Sequence, residues 1–93
     1  MTIDTIKSIV AEAGGEKHVL GFRFANGYKV VFSKHILNLN EDFKVINGSE
    51  IFIFEQVDTF GNQAKSYLDV SEIVQVYTVV DIKSNICIRE IME

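Results

Sequence analysis

The chain has 93 residues, of which 47% are apolar, so it is long enough for one domain with a modest core and is not a disordered tail. Its formal net charge is −4 and its nine basic residues are scattered, which argues against nucleic-acid binding, because that function requires cations that neutralise phosphate. The single cysteine, Cys87, excludes an internal disulfide and favours a reducing, cytoplasmic location.

The first segment predicts a helix over 2–13, with Thr2 as its N-cap and Gly14 and Gly15 as its end. A helix this short is marginal in water by itself, so it must dock on the rest of the domain. The segment lacks a signal-peptide core, and no stretch approaches the ~20 apolar residues of a membrane span, so no membrane contact is expected. Docking is predicted through three apolar residues at helical spacing: Ile6, Ile9 and Val10.

After the helix, apolar residues recur at every second position, which is typical of strands. The connections are too short to hold a crossover helix, which favours antiparallel pairing. The segment 36–49 is predicted to be irregular: it has a helix-like start at 40–42, although Phe43, Val45 and Ile46 could equally form a short strand. Strands are predicted near 18–25, 28–34, 50–58, 64–69, 73–82 and 86–91, all within one domain spanning 1–93.

The first hairpin could turn through two residues or three. A two-residue turn at 26–27 would pair Phe24 with Lys29 and mix polar and apolar groups on each face. A one-residue slip reverses every side chain, so the hydrophobic pattern favours a three-residue loop at 25–27, with Gly27 left-handed in a G1 bulge. Gly27 is therefore interpreted as a structural residue and not as part of a ligand loop. The predicted pairs are Phe24 with Tyr28, Phe22 with Val30 and Leu20 with Phe32.

The order of elements, ending in "LDVSEIVQVY" at 68–77, resembles the small five-stranded barrels of the Sm and SH3-like kind over residues 2–80. Asn26-Gly27 stands where Sm proteins carry Asp-Gly, and Ser71-Glu72 stands where they carry Arg-Gly, so the RNA-reading residues of that family are not carried over. The predicted elements indicate an α+β fold with an N-terminal helix and a mostly antiparallel five- or six-stranded sheet. The resemblance implies that this sheet is curled towards a small SH3/Sm-like barrel.

Candidate catalytic and metal-binding residues lack the settings that such chemistry needs. His18 and His35 could bind a metal with a nearby acid such as Glu16, Glu41 or Asp42, but their spacing matches no ligand motif. Cys87 has one nearby cation, Arg89. The carboxylate pairs lie among loop residues, at 41–42, 69 and 72, and 90 and 93. We therefore expect no catalytic residue, no metal, no cofactor and no enzymatic activity.

Excess apolar surface is the more informative feature. The strands at 50–58 and 73–82 carry apolar residues on both faces, which indicates a closed barrel, a second covering layer or a partner subunit. The last strand, 86–91, also needs an edge to pair with. The predicted subunit interface consists of Val80, Ile82, Ile86, Ile88 and Ile91.

The pattern favours a non-enzymatic binding or assembly module that acts as a homo-oligomer, by default a dimer, and it is compatible with a further protein partner. One alternative is an acidic inhibitor or immunity-type protein that covers the basic site of another protein. Another is a small-ligand or nucleotide binder that uses the mouth of the barrel. Acids scattered over the surface favour assembly, whereas acids gathered on one face would favour the inhibitor. The acids that could form such a group are Glu41, Asp42, Glu50 and Glu55.

Overall fold

One helix and two antiparallel three-stranded sheets make up the fold in the computed structural model, which describes residues 1–33 and 35–80. The helix α1 spans Ile3–Ala13, and single 3-10 turns occupy Glu16–His18 and Val70–Glu72. The strands are β1 (Val19–Phe24), β2 (Lys29–Val31), β3 (Phe43–Ile46), β4 (Ser49–Val57), β5 (Gln63–Asp69) and β6 (Ile73–Thr78).

The β1 sheet has the strand order β2-β1-β6, and the β4 sheet has the order β3-β4-β5. This arrangement confirms the predicted α+β class and the antiparallel pairing. A closed barrel is not found among the described strands. The predicted strand at 86–91 lies outside the described residues, and β6 ends at Thr78, four residues before the predicted 82.

The predicted helix is confirmed within one residue at its start. The Thr2 hydroxyl oxygen accepts a hydrogen bond from the Thr5 N–H at 3.1 Å. A carboxylate oxygen of Glu50, on β4, accepts from the Ile3 N–H at 3.1 Å, which satisfies a second free N–H and places a negative charge at the positive end of the helix. Gly14 ends the helix in the left-handed conformation.

The helix docks through a narrower stripe than predicted. Ile6 and Val10 are buried, with 0% and 2% of their surface exposed, but Ile9 is only half-buried and is not part of the core. The prediction for Ile9 is therefore wrong. The stripe follows the positions 3, 6 and 10, and Ile9 lies at its border, because successive residues turn by about 100° around the axis.

The first hairpin has the predicted three-residue loop. Phe22 is opposite Val30 and Arg23 is opposite Lys29. The Gly27 N–H donates to the Phe24 carbonyl at 2.9 Å, and Gly27 has φ +89°, as the bulged loop requires. The Phe32 N–H donates to the Leu20 carbonyl at 2.9 Å, which extends the same register.

Two features of β1 were not predicted. Its pairing with β6 shifts by one residue between Val19 and Gly21, and Val19 joins the core cluster whereas Leu20 does not. A Cβ atom on Gly21 would lie 2.2 Å from the Val30 carbonyl oxygen, so only glycine lets the two backbones approach this closely.

The segment predicted to be irregular contains a hairpin strand. Its residues 43–46 form β3, which pairs with β4 and places Phe43 opposite Phe52. Asn47 and Gly48 both have positive φ, 52° and 82°, which is the signature of a two-residue hairpin turn. The short-strand alternative is thus confirmed for this part of the segment, because Phe43 is buried against the core.

Phenylalanine rings join the two sheets. The Phe22 ring of β1 lies 5.4 Å from the Phe32 ring and 5.1 Å from the Phe52 ring of β4, both edge to face. The Phe43 and Phe52 centroids are 5.2 Å apart. Ile6 and Val10 of the helix belong to the same cluster. The helix and both sheets therefore share one core.

We predict that Gly27→Val destabilises the protein by about 1–2 kcal/mol, because a β-branched residue is strained at positive φ. Gly27→Asn is the matched control, since asparagine tolerates this conformation and should cost less. Urea unfolding of both variants measures the difference. Equal losses in the two would contradict a left-handed residue at this position.

We also predict that Ile6→Ala lowers the free energy of unfolding by about 2–5 kcal/mol, because it leaves a cavity in the core. Ile9→Ala should cost clearly less, since its side chain is only half-buried. Denaturant melts of the two variants provide the comparison, and a larger loss for Ile9→Ala would show that the helix docks through another face.

Candidate functional site

The face of the β4 sheet that points away from the core is the first candidate surface, and we call it the outer face. Phe52 is fully buried on the inner face, so its neighbours Ile51 and Ile53 point outwards, because side chains alternate along a strand. Ile53 is opposite Tyr67, and Ile51 is opposite Asp69. By the same alternation the outer face carries Lys44, Ile46, Ser49, Ile51, Ile53, Glu55, Val57, Gln63, Lys65, Tyr67 and Asp69.

Much of this apolar surface is uncovered in the described chain. Val57 is 65% exposed, Tyr67 58% and Ile46 45%, whereas Ile51 and Ile53 are half-buried. Several exposed apolar side chains side by side are typical of interaction surfaces, whereas single ones are ordinary. The outer face is therefore a candidate contact surface.

Phe60 projects at the tip of the hairpin that joins β4 to β5, with 88% of its surface exposed. The turn beneath it is ordered: an Asp58 carboxylate oxygen accepts from the N–H groups of Phe60 and Asn62, both at 2.9 Å. The Asn62 N–H in particular lowers the pKa of Asp58 below its usual 3.8. The ring is thus presented by a defined turn next to the outer face.

The second candidate is a cleft of about 500 Å³ between the β1–β2 hairpin and β5, which we call the aromatic cleft. Phe24 and Tyr28 contribute rings 5.9 Å apart, and Tyr67 supplies a third. The Ala25 N–H donates to the Glu72 carbonyl at 2.8 Å, which ties the hairpin tip to the turn after β5. The lining residues are Phe24, Asn26, Tyr28, Ser66, Tyr67, Leu68, Asp69 and Glu72.

Asp69 is held in its charged form at one end of the aromatic cleft. One of its carboxylate oxygens accepts from the Ser71 hydroxyl at 2.8 Å and from the Ser71 N–H at 2.9 Å. These bonds lower the pKa of Asp69 below its usual 3.8, with a smaller contribution from the N-terminal ammonium group. At neutral pH the cleft therefore carries this negative charge.

The histidines considered as metal ligands make other contacts. The Nδ1 atom of His18 lies 2.8 Å from the Val79 carbonyl oxygen, and the Nε2 atom of His35 lies 3.1 Å from an Asp42 carboxylate oxygen. Within residues 1–33 and 35–80 there is no group of three or more His, Cys, Asp or Glu side chains arranged to hold a metal ion. Cys87, Arg89, Glu90 and Glu93 lie outside the described residues.

Of the predicted interface residues, the structure describes only Val80, which is 93% exposed. Ile82, Ile86, Ile88 and Ile91 lie outside the described residues. The sequence did signal the outer face, because β4 was predicted to be apolar on both sides, but its residues were not chosen as the interface. In the described ranges, no helix is long and apolar enough to cross a bilayer.

The acids that would have marked an inhibitor are not gathered into one acidic surface. Glu50 caps the helix, and Glu55 lies 3.5 Å from Lys65. Glu41 and Asp42 line a groove together with Glu55, but Lys44 and Lys65 line the same groove. The charges there are therefore mixed, with three acids and two lysines.

No family model matches the chain, and neither a curated protein nor a solved structure matches it. Its function must therefore be argued from these surfaces.

We predict that Ser71→Ala raises the pKa of Asp69 towards 3.8, because it removes the strongest hydrogen bond to the carboxylate. A carboxyl group whose pKa is lower in the folded state than in the unfolded state stabilises the fold at pH values above the unfolded-state pKa. This contribution is lost as the pH falls through the folded-state pKa. The variant should thus be less stable at neutral pH and should match the wild type in strong acid. An NMR titration of the Asp69 carboxyl carbon measures the pKa.

Ser66→Ala is the control for that titration, since Ser66 lines the same cleft whereas the Asp69 carboxylate accepts its hydrogen bonds from Ser71. An equal rise of the Asp69 pKa in this control would contradict the assignment to Ser71.

Proposed function

We propose that the protein is a non-enzymatic binding or assembly module that acts as a homo-oligomer, with a dimer as the simplest form. The observation that carries the proposal is the uncovered apolar outer face, where Ile53 lies among Ile51, Val57 and Tyr67. Burying such a face against another subunit removes apolar surface from water, which is the main source of association free energy.

A second copy of the chain is the favoured occupant because the charges of the outer face are balanced. The face carries two lysines, Lys44 and Lys65, and two acids, Glu55 and Asp69. When such a face packs on itself about a two-fold axis, lysines can approach acids across the interface. A strongly charged partner would gain less electrostatic stabilisation from a surface whose charges are balanced.

The predicted C-terminal interface remains part of the proposal. Val80 is almost fully exposed at the end of the described chain, and four isoleucines follow it at 82, 86, 88 and 91. We also propose that the two sheets are halves of a barrel of the Sm or SH3-like kind in a cytoplasmic protein. The shared phenylalanine core and the 3-10 turn between β5 and β6 support the barrel, and the single cysteine supports the location.

The inhibitor alternative has weaker support, because the acids that it requires are divided between the helix cap and a groove with lysines. A small-ligand function would use the aromatic cleft, the described concavity with the largest aromatic share.

The test is light scattering of the wild type and of Ile53→Lys across micromolar concentrations. We expect a wild-type oligomer, and we expect the lysine to weaken association by several kcal/mol, roughly the cost of burying an unpaired charge. Circular dichroism checks that the variant is folded. Val74→Lys is the matched control, since Val74 is 47% exposed on the other sheet, and it should leave association unchanged.

Ile88→Asp tests the predicted C-terminal contribution in the same experiment. Weakening by this variant alone would move the interface from the outer face to the C-terminal segment. A wild type that remains a 10.5 kDa monomer at every concentration would refute the assembly proposal.

A further inference from the structure

We propose that the aromatic cleft binds a cationic side chain, arginine or lysine, presented by a basic segment of another protein. This goes beyond self-assembly, and it concerns the space between the β1–β2 hairpin and β5, which shares only Tyr67 and Asp69 with the edge of the outer face. Three features of the cleft support binding of a cation: the chemistry of its walls, the sign of its lining charges and its rigidity.

The walls of the cleft suit a cation with an apolar stem. Phe24 is buried, with 3% of its surface exposed, whereas Tyr28 and Tyr67 are 39% and 58% exposed. Leu68 adds an aliphatic surface. A guanidinium or ammonium group is attracted to the face of an aromatic ring within about 6 Å, and the methylene stem of the same side chain packs on apolar atoms.

The charged side chains that line the cleft have one sign. Asp69 and Glu72 line it, and no lysine, arginine or histidine is found among its described lining residues. The groove beside β3 and β4 differs, because it combines three acids with Lys44, Lys65 and His35. Of the two concave surfaces, the aromatic cleft is therefore the one whose charge is complementary to a cation.

The cleft is also preorganised. The backbone bond from Ala25 to Glu72 holds one wall against the other, and the Asn26 side-chain oxygen accepts from the Tyr28 N–H at 2.9 Å. Ser71 orients the carboxylate of Asp69. A ligand would thus meet groups whose positions are already set, which lowers the entropy cost of binding.

The experiment is an NMR titration of the ¹⁵N-labelled full chain with three small probes. N-acetyl-arginine N-methylamide and N-acetyl-lysine N-methylamide carry the charge. N-acetyl-citrulline N-methylamide has nearly the same shape as the arginine probe but is neutral. We expect at least one charged probe to cause saturable shifts at the amides of Asn26, Tyr28, Tyr67 and Leu68, and we expect the citrulline probe to cause none.

Two variants locate the site. Tyr67→Ala removes an exposed ring, and Glu72→Gln removes an exposed charge while the backbone bond of Glu72 remains possible. Each should weaken probe binding roughly twofold to fivefold, in line with an exposed cation–π or ion-pair contact. Glu12→Gln makes the same charge change on the exposed surface of the helix, and it should leave binding unchanged.

Three outcomes would overturn the proposal: no saturable shift with either charged probe, equal shifts with the citrulline probe, or shifts that persist in Tyr67→Ala and Glu72→Gln. Because Tyr67 and Asp69 also belong to the outer face, the titrations are repeated on Ile53→Lys, so that occlusion of the cleft in an oligomer is distinguished from failure of the cleft to bind.

Discussion

The contact between Phe22, Phe32 and Phe52 is the interaction on which the rest of the structure depends. It joins the central strands of the two sheets, and a chain of this length can build only one core. The edge-to-face rings fill the space between the sheets, and the helix closes one side through Ile6 and Val10. Each sheet has only three strands. The inner face of each sheet is covered by the other sheet, so neither could bury its apolar side chains alone.

The same constraint creates the outer face. Alternation along β4 sends Phe52 and Phe54 inwards and therefore sends Ile51 and Ile53 outwards. The single helix is already committed to the shared core, and its first turn is anchored by Glu50 of β4. Within the described chain, the outer face of the β4 sheet is left without a cover, which is why a subunit contact is the simplest interpretation of these apolar residues.

The aromatic cleft has a different origin. It lies where the first hairpin meets the end of β5, and its walls come from segments that are distant in the sequence, 24–28 and 66–72. Phe24 and Tyr28 are adjacent because the bulged loop places them in register. Asp69 and Glu72 are near each other because Asp69 caps the 3-10 turn that Glu72 ends. The backbone bond between Ala25 and Glu72 brings the two pairs together.

The sequence by itself determined what depends on local periodicity and turn chemistry: the helix with its caps, the bulged loop at Gly27 and the alternation along β4. The tertiary structure decided what depends on distant contacts. Only packing shows that Ile9 lies outside the core, that 43–46 forms a strand opposite Phe52, and that Gly21 must admit the Val30 carbonyl. The aromatic cleft is also decided by the tertiary structure. Local sequence patterns carry no information on which distant segments meet, and that information comes from burial and from the backbone hydrogen bonds between the segments.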